Sequence, residues 1–242
     1  FDLHPDVQPL IVARASLPQG QNLAEDRQIW SEYARANAVP PPAGMMVENR
    51  MVPGRDGNAV PIRIYTPAGA GAKPALLYFH GGGFVKGDCD TSDTNGWGLA
   101  AETGAVVISV DYRLAPEHPY PAALHDCVAA LEHVARNSGD YGVDASRIGV
   151  SGDSAGGNLA AAVALWARDH GGPALKCQGL IYPCLTDKLE FDSYQRNADA
   201  PGLTTSNMRG YWDKYLGEAM SGASTGPLAT PMIAADLTGL PP

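Results

Sequence analysis

Positive charge, cysteine and long apolar runs are all scarce in this sequence. Of its 242 residues, 17 are Lys or Arg against 26 Asp or Glu, for a formal net charge of −9 at pH 7. Phosphate backbones are gripped by clustered Lys and Arg, so no nucleic acid is expected as a partner. Docking on an anionic lipid surface is disfavoured for the same reason. No apolar run approaches the roughly 18–20 residues of a membrane-spanning helix, so no membrane is expected. The longest, Leu159 to Ala167, is mostly alanine and suits a buried helix. The four cysteines are scattered. If Cys177 and Cys184 flank one strand they lie up to roughly 23 Å apart, at about 3.3 Å per residue. A disulfide needs Cα atoms within about 7 Å. No Cys-x-x-Cys occurs, which removes the usual zinc and dithiol redox patterns. The reading is of reduced, mostly buried thiols and a cytoplasmic protein. Phe1 is not an initiator Met, which leaves a removed leader open.

Forty-five per cent of the chain is hydrophobic, enough for a sizeable core, and its length suits one large α/β domain or one domain with a small cap. Neither internal repeats nor low-complexity runs occur. From Asn22 to Ala36, Leu23, Ile29, Trp30, Tyr33 and Ala34 fall near one helical face, and "VPPPAG" ends that segment. Alternation at Val60, Ile62 and Ile64 marks a half-exposed strand. The apolar runs "ALLYF", "AVVISV", "RIGVS" and "GLIYP" are short and continuous, as in strands buried on both faces of a parallel sheet. Helical stretches at Thr91–Thr103, Tyr120–Asn137 and Ala155–Asp169 separate them. The alternation predicts a doubly wound, mostly parallel α/β sheet with right-handed crossovers. Residues 1–45 are expected to form a helical cap segment. Residues 46–242 should form the core, with a cap insertion near 187–222.

Three motifs carry the chemistry. "GDSAG", Gly152 to Gly156, follows the strand "RIGVS" and opens a helix, which is the setting of a nucleophile elbow. Side chains two positions either side of Ser154 would collide with the strand and helix packed there. "HGGGF", His80 to Phe84, follows "ALLYF". Its glycines leave amide N–H groups unobstructed to stabilise an oxyanion, and the amide of Ala155 would add a further donor. His80 reads as a residue that braces the loop. "DYRLAPEHPYPAALHD", from Asp111, holds Pro116, Pro119 and Pro121, which forbid helix until Ala122. Glu117 and His118 within it read as loop structure.

Together, in this order, the three stretches resemble the hormone-sensitive-lipase branch of the α/β-hydrolase fold, the bacterial family IV esterases. The resemblance covers roughly Val47 to Pro242. It implies Ser154 as nucleophile and Gly82, Gly83 and Ala155 as oxyanion donors. It implies a small-molecule ester of short acyl chain as substrate, with no metal or other cofactor. "MRGYWDKYL", from Met208, resembles the family's cap. Phe84, Tyr211 and Trp212 are the substrate-pocket candidates, although the two cap aromatics serve equally well as packing. A homodimer is left open. Cis peptide bonds are implied at Ala115–Pro116 and Tyr120–Pro121.

The family's order is Ser, then Asp, then His. In the 88 residues after Ser154 the single histidine is His170, at the end of the helix that begins at the serine. At 1.5 Å per residue it lies roughly 24 Å away and cannot be the base. Asp187 comes one strand too early for the family's acid. The triad acid and base are therefore expected beyond residue 242. The alternative is a catalytically silent small-molecule binding protein on the same scaffold.

Overall fold

Buried valines and isoleucines mark the centre of a six-stranded sheet. The computed structural model describes residues 4–217 and 226–242. The strands are β1 (Met46–Pro53), β2 (Ala59–Thr66), β3 (Lys73–Phe79), β4 (Val106–Val110), β5 (Val143–Asp153) and β6 (Leu175–Ile181), in the order β1-β2-β4-β3-β5-β6. β1 and β2 form an antiparallel hairpin, and β2 runs antiparallel to β4. From β4 onward the pairing is parallel. Parallel neighbours need a crossover. Three helices supply it: α3 (Asp93–Thr103), α4 (Ala122–Arg136) and α5 (Ala155–Asp169). The doubly wound α/β expectation stands, and α4 begins directly after Pro121.

β4 is buried at all five positions, as its unbroken apolar run predicts. β1 has one buried residue, Val52. Its Glu48, Asn49 and Arg50 mask the alternation, so sequence reasoning missed it. β6, which contains most of "GLIYP", pairs with β5, and among the described residues it stands at the sheet edge with none of its own residues buried. That edge position also exposes Cys177. Cys89 and Cys127 are buried and Cys184 half-buried, all as free thiols.

Before the sheet come α1 (Gln8–Ala15) and α2 (Leu23–Ala36), neither of which contributes a fully buried residue. The Asn22 side chain accepts the Glu25 N–H and so caps α2. After β6, α6 (Asp192–Arg196) and α7 (Thr205–Leu216) fall in the expected insertion. Residues 218–222 of that insertion, and 1–3 of the N-terminal segment, lie outside the described residues. α7 starts on a capping box between Thr204 and Asn207. Its buried Met208, Trp212 and Tyr215 share one face by their spacing. The Tyr215 ring stacks on Phe84 at 3.7 Å, which seats α7 over the glycine loop. Among the described residues no helix is long and apolar enough to cross a membrane.

Candidate active site

The turn from β5 into α5 holds Ser154 at φ 54°, ψ −116°. A positive φ is strained for any side chain with a Cβ. Neighbouring backbone holds it there: the Ser154 N–H donates to Ile181 O at 2.9 Å, and its carbonyl accepts from Asn158 N at 3.1 Å and Cys184 N at 3.2 Å. The motif's glycines follow from close approach. A Cβ on Gly152 would overlap the Gly156 carbonyl, and one on Gly156 would overlap that of Phe79. Only glycine lets strand and helix meet this tightly.

The glycine loop leaves the end of β3. Gly82 and Gly83 have φ of 132° and 62°. The amides of Val85 and Lys86 both donate to Gly82 O, at 3.2 and 3.1 Å, curling the loop. Asp153 ties it to the elbow: Oδ1 accepts the Gly81 N–H at 2.9 Å and the Tyr78 hydroxyl. Tyr78 in turn accepts from Asn95 Nδ2 at 2.9 Å. Burial, with the Asp153 charge second, pushes the Tyr78 phenol up, so it stays a donor. No sequence motif flags Tyr78 or Asn95. Among the described residues, the amides of Gly82, Gly83 and Ala155 have no protein acceptor.

His80 braces this loop. It is 3% exposed, and its ring stacks on Tyr112 at 4.3 Å. Nδ1 lies 2.8 Å from Gly81 O, which fits the Nδ1–H tautomer. Tyr112 OH donates to His80 O at 2.6 Å. Burial lowers the imidazole pKa and keeps it neutral. The proline loop is structural as well, and both Ala115–Pro116 and Tyr120–Pro121 are cis. Glu117 accepts two bonds from Arg27, at 2.8 and 2.7 Å. The guanidinium pulls its carboxyl down to about 2.

Ser154, Gly82, Gly83, Phe84, Tyr211 and Trp212 all line one cavity of about 360 Å³. Ala155 is fully buried and is not on its wall. The Tyr211 ring rests on Gly83, where an added Cβ would stand 2.5 Å from it. Phe84 and Trp212 are 2% and 3% exposed, so both also pack the core. Ser154 Oγ lies 3.5 Å from Cys184 Sγ, and among the described residues no histidine bonds to it. His170 stacks on Trp166 at the far end of α5. Asp187 is not on the cavity wall.

Residues 76–242 match the family model of the alpha/beta hydrolase fold. The chain belongs to the α/β-hydrolase fold family. This α/β hydrolase is 39% identical to carboxylesterase NlhH of Mycobacterium tuberculosis, an alignment covering 98% of this chain and 76% of NlhH. It is 46% identical to esterase LipI of the same organism, over 77% of this chain and 60% of LipI. Among solved structures, a bacterial heroin esterase superposes with a TM-score of 0.91 at 37% identity, covering 99% of this hydrolase and 77% of that chain. A hyperthermophilic esterase of Pyrobaculum calidifontis gives 0.88 at 36%, covering 100% and 78%.

Proposed function

We propose that this α/β hydrolase cleaves short-chain carboxylic esters through an acyl-enzyme on Ser154. The observation that carries the reading is the strained Ser154 in one cavity with Gly82 and Gly83, whose amides have no protein acceptor among the described residues. Ser154 Oγ attacks the ester carbonyl carbon, and the carbonyl oxygen becomes an oxyanion. The amides of Gly82, Gly83 and Ala155 donate to it. Collapse of the intermediate expels the alcohol, and water then cleaves the acyl-serine. The reaction needs a base to take the Oγ proton. The family's order puts that base and its carboxylate beyond residue 242, and no described residue stands at Ser154 in that role. Phe84, Tyr211 and Trp212 shape the acyl site, with α1, α2, α6 and α7 as cap. A cavity of about 360 Å³ sits near the small end of ligand pockets and favours acyl groups of a few carbons.

In protein that carries the triad acid and base, a fluorophosphonate should label Ser154, and Ser154→Ala should lower kcat on p-nitrophenyl butyrate by about 10⁶ if the triad acts as a unit. Labelling at another serine would refute the assignment. A folded protein that binds esters but is never labelled would be a binding protein instead.

A further inference from the structure

Two cations share the active-site cavity with Ser154. Arg14 reaches it from α1, and Lys86 from the end of the glycine loop. In a chain of net charge −9 the composition does not lead one to expect this. Neither has a carboxylate in ion-pair contact among the described residues; Arg35, Arg136, Arg196 and Arg209 share that state, but they do not line this cavity. Their neighbours are rings. The Arg14 guanidinium carbon lies 5.1 Å from the Trp30 ring centre. Lys86 Nζ lies 4.7 Å from the same ring and 5.8 Å from that of Tyr211. A ring face attracts a cation without neutralising it, and it leaves N–H donors over for a ligand.

The two cations outnumber the carboxylates on this wall: Asp153 is the one carboxylate among its described lining residues, and bonds from the neutral Tyr78 and Gly81 donors leave its charge in place. A second cavity of about 470 Å³ shares Arg14, Trp30, Lys86 and Tyr211 with the first, so the cations stand where the two meet. The carboxylate on that side, Asp26, accepts the Gly20 amide at 2.9 Å. The Lys86 backbone is fixed by the same turn that shapes the glycine loop, because its N–H donates to Gly82 O. Lys86 thus lines the same cavity as Ser154 from a backbone four residues past Gly82, with its Nζ over the Trp30 and Tyr211 rings.

We propose that Arg14 and Lys86 select esters that carry a free carboxylate, such as monoesters of dicarboxylic acids or esters of hydroxy acids. This rests on the ester-hydrolase reading. Water adds across the acyl–oxygen bond, and the recognised carboxylate passes through unchanged.

In protein that carries the triad acid and base, the test compares kcat/KM for the mono-p-nitrophenyl ester of glutaric acid and for p-nitrophenyl pentanoate. The two share acyl carbon count and leaving group and differ by one carboxylate. A second pair, 4-carboxyphenyl butyrate and 4-methylphenyl butyrate, puts the carboxylate on the alcohol side. In at least one pair the charged-to-neutral ratio should fall about three- to tenfold in Lys86→Gln and in Arg14→Gln. It should fall further in Lys86→Glu, recover in Lys86→Arg, and shrink in the parent as salt is raised. Glutarate binding to the Ser154→Ala protein, read by tryptophan fluorescence, needs no turnover and should weaken in the Lys86→Gln background. Turnover of neutral esters with ratios unmoved by every substitution would overturn the anion site and leave the hydrolase standing. Absence of turnover on all four esters in protein that carries the triad acid and base, with glutarate binding still dependent on Lys86, would overturn the hydrolase and keep the anion site.

Discussion

At the scale of single residues, the same substitution has opposite signs at different glycines. Gly82 has φ 132°, and an added Cβ would overlap the Lys86 carbonyl, a backbone atom that cannot swing away. Gly82→Ala should therefore destabilise the protein and distort the loop. Gly98, inside α3, has open space where a Cβ would go. Gly98→Ala should stabilise by roughly 0.5–1 kcal/mol, because alanine has less backbone entropy to lose in a helix. Thermal midpoints of the two variants check both, and a destabilised Gly98→Ala would contradict the account. Asp153 makes the larger case. In Asp153→Ala the Tyr78 hydroxyl, on a residue 1% exposed, loses its acceptor, as does the Gly81 N–H. Leaving a buried donor unpaired costs about 1–3 kcal/mol, and the freed loop should lower kcat with it. Unchanged stability and turnover would show that the tie between elbow and glycine loop is idle.

At the scale of elements, one side chain docks α2 on the loops beside the site. Arg27 Nε donates to Val85 O at 2.6 Å, Nη2 to Ala115 O at 3.0 Å, and both Nη groups to Glu117. Arg27→Met keeps much of the stem's packing but removes every one of these bonds. Amide exchange across residues 23–36 and 113–118 should speed up in this variant, with a smaller change in the sheet. Equal acceleration everywhere would mean that α2 is held by something else. Nothing in the sequence links Arg27 to Glu117, because such a contact depends on how loops fold back. The elbow was legible for the opposite reason. Its glycines, serine and flanking strand and helix are local, and steric needs fix them within a few residues. Asp153 sits inside that legible motif, yet its bond to Gly81 depends on β3 and β5 being neighbours. β1 was lost to its polar residues, which hide the alternation of a half-buried strand. The Arg14, Trp30 and Lys86 cluster comes from three separate segments and carries no pattern at all.

For the whole molecule, a half-buried carboxyl and a buried imidazole beside the sheet make stability depend on pH in competing ways. Burial, with help from Asp88 and Asp90 and against Arg63, raises the Asp111 carboxyl from the usual 3.8 to about 6. Between those values the folded chain holds more protons at this site than the unfolded chain. Its contribution therefore falls as pH rises through that window and stays low above it. His80 acts in the other direction. Burial lowers its pKa below the usual 6.5, so its contribution is present at neutral pH and is lost as pH falls. A single stability curve mixes the two, whereas the difference between Asp111→Asn and the parent isolates Asp111. At pH 7.5 the asparagine, which is never charged, should be the more stable by on the order of 1–3 kcal/mol. As pH drops toward 4 the parent's carboxyl takes up its proton and the gap should close. Urea unfolding of both proteins at several pH values measures it. A gap that stays constant across the range, or widens in acid, would mean that the surroundings do not raise the Asp111 carboxyl.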